Sequence, residues 1–229
     1  MIPTTDYAPD ARIPSGATFW MPSEDDIPDD EGIGCFRNVW MILNEPEVTT
    51  RNLITTESAL ISLADRLAAS VKEYEILATV IDKGYTGEEL PGRLGELIRS
   101  DAPELLGREP DDELPLYDLE LGVAGLSYAL STVGAVPVAS CRGHEDGWSD
   151  RPVAFVALDE QRARWLQPLL RDNGCGFHLS RDREEFLVID GPSIRHTNAL
   201  AQTIVHAFDG QVELFDLWLD LAVLDARYD

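Results

Sequence analysis

The sequence has few basic residues for its length. It carries 18 lysines and arginines against 42 aspartates and glutamates, which gives a formal charge of −24 over 229 residues. Such an excess of negative charge repels nucleic-acid backbones and acidic membranes and discourages self-association. We therefore expect neither direct nucleic-acid binding nor attachment to a membrane.

Cysteines and long apolar runs are scarce as well. Three cysteines without a secretion signal argue against a disulfide framework and favour reduced thiols or metal ligands. No apolar run approaches the roughly 18 to 20 residues that a membrane-spanning helix needs. The start of the chain also lacks the basic and apolar regions of a signal peptide. These absences predict a cytoplasmic protein.

The sequence that remains is 44% apolar, enough to bury a sizeable core. Composition divides it into three parts. Residues 1–34 form an acidic, proline-rich arm, in which the apolar residues 19–21 are a candidate anchor. Residues 35–112 are mostly helical, and a stretch rich in proline and acid ends them. Residues 113–229 carry both helical and strand patterns and are predicted to be the main domain.

The helical part begins with a run of strand length at 35–43. From Thr56 onward, apolar residues recur at helical spacing as far as Ile81. This spacing predicts one long helix, with Thr55 or Thr56 as its N-cap and Gly84 at its end. A shorter helix is predicted at 88–98.

The main domain is predicted to be an α+β fold, with one antiparallel sheet and helices packed mainly on one face of it. Its elements follow the order helix-strand-strand-helix-strand-strand-helix. We predict them at 119–133, 135–140, 152–158, 159–170, 176–180, 186–189 and 193–208. Apolar residues at 214–224 predict an amphipathic helix that ends the chain.

One local pattern occurs twice in this domain. Cys141 is followed three residues later by His144, and Cys175 by His178. A thiolate and an imidazole at this spacing can face one ion, and two such pairs supply the four tetrahedral ligands of a structural zinc. The first hypothesis is therefore a zinc site formed by these four residues.

Two other interpretations of the same residues stay open. In the first, Cys175 and His178 alternate along a strand into the core and Cys141 is a buried turn residue; positions three apart in a strand point to opposite faces, which counts against a shared ion. Alternatively, Cys141 is a nucleophile, His144 its base, and Arg142 a clamp for an anionic substrate. In that case a small anion is expected near Arg142 and Arg151.

The functional prediction combines the charge with the absence of a complete catalytic motif. We expect an acidic regulatory or immunity-type protein that binds a basic protein partner and carries one structural zinc. The first alternative is an enzyme centred on Cys141 and His144, with Arg142 binding a small anionic or phosphorylated substrate. The second alternative is an inhibitor whose acidic surface imitates DNA.

Overall fold

The computed structural model describes most of the chain but not all of it. The described residues are 1–21, 47–84, 90, 92–106, 114–117, 119–144, 147, 149–181 and 186–209. The strand predicted at 35–43 and the helix predicted at 214–224 lie outside these ranges.

Six α-helices and one four-stranded antiparallel sheet make up the described part. The helices are α1 (Glu47–Leu67), α2 (Val71–Lys83), α3 (Gly92–Asp101), α4 (Ala124–Thr132), α5 (Glu160–Asp172) and α6 (Ile194–Phe208). The strands are β1 (Val136–Cys141), β2 (Val153–Ala157), β3 (Gly176–Leu179) and β4 (Leu187–Asp190). The predicted α+β class, with a helical N-terminal region, is confirmed.

The strands lie in the order β1-β2-β4-β3, so β1 and β3 form the two edges of the sheet. Residues opposite one another in an antiparallel sheet point to the same face. The inner face carries Val156, Leu187 and Phe177, which pack in the main core against α4, α5 and α6. The outer face carries Cys141 and Val153, which belong to a separate small cluster. The helices therefore cover mainly one face, as the sequence predicts.

The single long helix predicted from Thr56 to Ile81 is wrong in its bounds. The structure has two helices instead, because α1 begins at Glu47 and a new helix begins after Ser70. The Ser70 hydroxyl accepts a hydrogen bond from the Glu73 backbone N–H at 3.2 Å. The Glu73 carboxylate in turn accepts one from the Ala69 N–H at 2.7 Å. This reciprocal capping stabilises the start of α2 and sets its direction.

The N-terminal arm lies against the body over the residues that are described. The Phe177 N–H of edge strand β3 donates to the Asp10 carbonyl at 2.8 Å. Further along, Phe19 and Met21 pack on the main core, and the Trp20 ring lies 5.7 Å from that of Phe186. The predicted apolar anchor of the arm therefore contacts the folded body.

A buried carboxylate joins the first helix to the rest of the chain. Glu57 on α1 is fully buried and accepts hydrogen bonds from the Gly122 N–H at 2.8 Å and the Gly125 N–H at 3.2 Å. It also accepts one from Asn198 Nδ2 on α6 at 2.8 Å. A Cβ on Gly125 would lie 2.5 Å from this carboxylate, so glycine is needed for the close approach. Glu57 thus satisfies backbone donors at the start of α4 that no local side chain caps.

Candidate functional site

The site is built where β1 ends and the chain turns back towards β2. Cys141 is the last residue of β1. Gly143 has φ +89° and lies so close to Arg151 that a Cβ would be 2.6 Å from that backbone. Only glycine fits this position without strain. The turn is closed where the His144 N–H donates to the Ser149 carbonyl at 2.8 Å.

Arg142 lies at the centre of a buried ion-pair network. Its side chain is 3% exposed, and its guanidinium contacts Asp82 and, at 3.1 Å, Glu75, both on α2. The Arg142 backbone N–H donates to Glu120 Oε2 at 2.8 Å, and its Nη1 lies 3.9 Å from Glu120 Oε1. This network attaches the end of the sheet to the helical region.

The network changes the acidity of its members. Burial raises the pKa of Asp82 above its ordinary value, although the charge of Arg142 favours the ionised form. Burial also opposes ionisation of Glu120, but the Arg142 backbone N–H and guanidinium outweigh it and lower the pKa of Glu120. Glu120 is therefore held as a carboxylate beside the end of β1.

Three possible metal ligands meet beside this network. One ligand atom from each of Glu120, Cys141 and His144 lies within 4.8 Å of the other two. His144 Nε2 is 3.1 Å from Glu120 Oε1, and His144 Nδ1 is 3.5 Å from Glu75 Oε2. Carboxylate, thiol and imidazole are all ligands that zinc accepts. These three residues therefore form a group that can hold a metal ion.

The structure does not bring the four predicted zinc ligands together. Cys141 lies opposite Val153, which lies opposite Asp190, which lies opposite Gly176. Cys141 and the Cys175 segment are thus on the two edges of the sheet, three strand spacings or roughly 14 Å apart. Zinc bonds its ligands at about 2.0 to 2.3 Å, so one ion cannot reach both pairs.

Cys175 and His178 have separate surroundings. Cys175 is fully buried in the main core, where burial raises the pKa of its thiol to about 12. His178 is on the outer face, with Nδ1 3.3 Å from Asp190 Oδ2. Cys175, just before β3, and His178, on β3, therefore lie on opposite sides of the sheet.

The two arginines predicted to bind a small anion already have carboxylate partners. Arg142 is paired with three carboxylates as described above. Arg151 Nε donates to the buried Asp190 at 3.0 Å, and its guanidinium stacks on the Tyr7 ring at 4.0 Å. An anion at either position would have to displace a carboxylate, and the geometry does not favour it.

The environment of Cys141 does not favour a nucleophile. Its side chain is buried, and burial raises the pKa of the thiol to about 11. Reactive cysteines instead have a lowered pKa in an electropositive, partly exposed setting. His144 and Cys141 are close together, but the guanidinium of Arg142, the predicted anion clamp, is buried and paired with carboxylates.

Sequence reasoning missed three carboxylates of the site, namely Glu75, Asp82 and Glu120. They come from α2 and from the segment before α4, so 22 to 67 residues separate them from Arg142. No local motif marks them in the sequence. Their meeting with Cys141 and His144 depends on how α2 packs beside the end of β1.

Most arginines of the described part, Arg142 and Arg151 among them, pair within the chain. Ten arginines form ion pairs with its own carboxylates: Arg12, Arg51, Arg66, Arg93, Arg142, Arg151, Arg162, Arg164, Arg171 and Arg195. The chain has 42 acidic and 18 basic residues, so acidic residues outnumber basic ones by 24.

Comparison of the chain with protein-family models, with curated proteins and with solved structures finds no match. None of the helices in the described part combines the length and apolar character that crossing a bilayer requires.

Proposed function

We propose that this protein is an acidic regulatory protein of the immunity type that binds a basic protein partner and carries one zinc ion. The zinc is held by Glu120, Cys141 and His144. The observation that carries this proposal is the meeting of their three ligand atoms within 4.8 Å of one another. Cys175 and His178 have no part in this site.

Zinc fits these residues by ligand type. The thiolate is a soft donor, the imidazole a borderline one and the carboxylate a hard one, and this mixed set suits zinc better than calcium or magnesium, which prefer oxygen alone. The nearby carboxylate of Glu75, 3.5 Å from His144 Nδ1, provides the outer partner that metal-bound histidines usually have. A metal here joins the segment before α4 to the end of β1.

The negative charge of the chain supports binding to a basic partner. The formal charge is −24, and ten of the described arginines are already paired within the chain. Few cations are then left to offset the carboxylates that face solvent. A surface of this kind attracts a partner with positive charge and accelerates its association.

Metal content tests the site. We expect the purified protein to retain about one zinc per chain after dialysis, and the variants Cys141→Ser and His144→Ala to lose most of it, because each removes one of three ligands. Elemental analysis measures the zinc, and circular dichroism shows whether each variant is folded.

The matched controls remove the other cysteine and histidine pair. Cys175→Ala and His178→Ala are expected to keep their zinc, since neither residue lies at the site. Wild-type protein without zinc contradicts the proposal. So does an equal loss of zinc from the His144 and His178 variants.

Salt dependence tests the partner. We expect a basic protein captured on the immobilised chain to associate at least about tenfold more slowly when the ionic strength rises from about 10 to 150 mM, because salt screens the attraction between opposite charges. Surface plasmon resonance measures this rate.

An association rate that does not change with salt contradicts electrostatic steering. Duplex DNA is added as a competitor in the same experiment. If DNA displaces the captured protein, the acidic surface is acting as a DNA mimic, and the regulatory proposal is replaced by that alternative.

A further inference from the structure

We infer that the metal at Glu120, Cys141 and His144 has a fourth coordination position open to solvent, which takes a neutral oxygen or nitrogen donor such as water or a hydroxyl group. The inference rests on the proposed metal site. It goes beyond it, because the site is then a place for a small ligand and not only a structural cross-link.

The number of ligands is the first observation. In the described part of the chain, three side chains bring possible metal-ligand atoms within 4.8 Å of one another: Glu120, Cys141 and His144. Structural zinc sites are closed by four protein ligands, whereas sites with three protein ligands leave the fourth position to water or substrate. The Cys175 pair cannot complete the set, since it lies at the opposite edge of the sheet.

The second observation is which side of the site is covered. Cys141 is buried against Val153 and Val188 on the outer face of the sheet. By contrast, the side chains of His144 and Glu120 are 33% and 32% exposed. The group is therefore covered by protein at the thiol of Cys141 and reaches solvent at the partly exposed side chains of His144 and Glu120.

Among the described residues, the carboxylate of Glu75 also lies beside the group, but it is not placed as a ligand. Glu75 Oε2 lies 3.5 Å from His144 Nδ1, whereas His144 Nε2 faces Glu120 at 3.1 Å. Glu75 also pairs with the buried Arg142 at 3.1 Å. It is thus placed to orient the imidazole from behind, as outer carboxylates do at metal sites, and not to bind the metal as a fourth ligand.

Charge determines the class of ligand. A divalent ion bound by the Cys141 thiolate and the Glu120 carboxylate has no net charge. The surrounding protein is strongly negative, with a formal charge of −24, so it repels small anions. A neutral donor can add to the metal without this repulsion. The open position therefore favours water, a hydroxyl group or an imidazole over an anion.

Cobalt substitution tests the inference. Co²⁺ accepts the same ligands as zinc, and its visible absorption depends on the number and type of those ligands. Full-length protein is loaded with one equivalent of Co²⁺ and titrated with imidazole, a neutral donor, and separately with azide, an anion. We expect a saturable shift of the visible bands with imidazole at constant protein-bound cobalt, and a weaker response to azide.

The variant His144→Ala is the control, because it removes one of the three ligands and is expected to lose the metal, so it should show neither the cobalt bands nor a response to imidazole. Cobalt-loaded wild-type protein that keeps its metal and does not respond to imidazole overturns the inference, and so does a shift that accompanies loss of cobalt from the protein. A response to azide as strong as that to imidazole overturns the preference for neutral donors. If the wild-type protein binds no cobalt at all, the proposed metal site itself fails.

Discussion

Replacing Arg142 by methionine is expected to lower the free energy of unfolding by about 3 to 5 kcal/mol. The substitution keeps much of the side-chain volume but removes the cation that Asp82 contacts. Asp82 is itself buried, with 5% of its side chain exposed, so its carboxylate would remain in the interior without a charge partner. Urea denaturation followed by circular dichroism measures the change, with a chelator present so that metal binding does not contribute.

The matched control is Arg164→Met. Arg164 pairs with Glu160 on the surface of α5, where the two side chains are 68% and 54% exposed. Exposed pairs of this type contribute less than about 1 kcal/mol. The double variant Arg142→Met, Asp82→Asn is expected to recover part of the loss, because it removes the unpaired charge as well. An Arg142 variant no less stable than the Arg164 variant would show that the network does not stabilise the fold.

Replacing Glu57 by alanine is expected to cost about 3 kcal/mol or more. The substitution leaves three buried donors without an acceptor: the N–H groups of Gly122 and Gly125 and the amide of Asn198. Each unsatisfied buried donor carries a penalty of about 1 to 3 kcal/mol. The same denaturation experiment measures the loss. Glu47→Ala is the control, since Glu47 lies on the same helix but pairs with Arg51 at the surface and should cost less than about 1 kcal/mol.

The loss at Glu57 is also expected to depend on pH. Burial raises the pKa of Glu57 above its ordinary value of 4.5. Between that value and the raised one, the folded protein holds a proton that the unfolded chain has released, so rising pH lowers the stability of the wild-type protein. The variant has no such group. The difference in the free energy of unfolding between wild type and Glu57→Ala should therefore be larger at the acidic end of this pH window than above it. A difference that grows with pH contradicts the raised pKa.

Local patterns were sufficient to predict the α+β part of the fold. Asp159 caps α5 as expected, with its side chain accepting from the Arg162 N–H. The short apolar runs that predict strands at 152–158 and 186–189 correspond to β2 and β4 within two residues. The caps and apolar runs that define these elements lie within a few residues of one another, so they can be recognised in the sequence alone.

The break between α1 and α2 shows a local signal that periodicity concealed. The apolar spacing continues from Leu60 to Ile81 without interruption. Ser70 followed three residues later by Glu73 is nevertheless a capping box, and the structure uses it to start a new helix. The boundary between α1 and α2 is therefore marked in the sequence by Ser70 and Glu73, and not by a change in the apolar spacing.

The site itself was only half predictable. Cys141 and His144 do lie together, because only two residues of one turn separate them. The second pair was assigned to the same ion because its spacing is similar, but strand order separates the two pairs across the sheet. Glu120 was missed, because its distance from Cys141 depends on the packing of α2 and the segment before α4 against the end of β1. No spacing in the sequence encodes that contact.

The hydrogen bond from Asn198 to Glu57 has a consequence for biosynthesis. The two residues are 141 positions apart, so the acceptor leaves the ribosome long before its donor is made. At a synthesis rate of about 5 to 20 residues per second, the interval is about 7 to 28 seconds. During that time α1 has no partner from α6, and Glu57 lacks the Asn198 amide, the last of its three donors to be made. Helix α1 can therefore reach its final packing only after all four strands of the sheet have been translated.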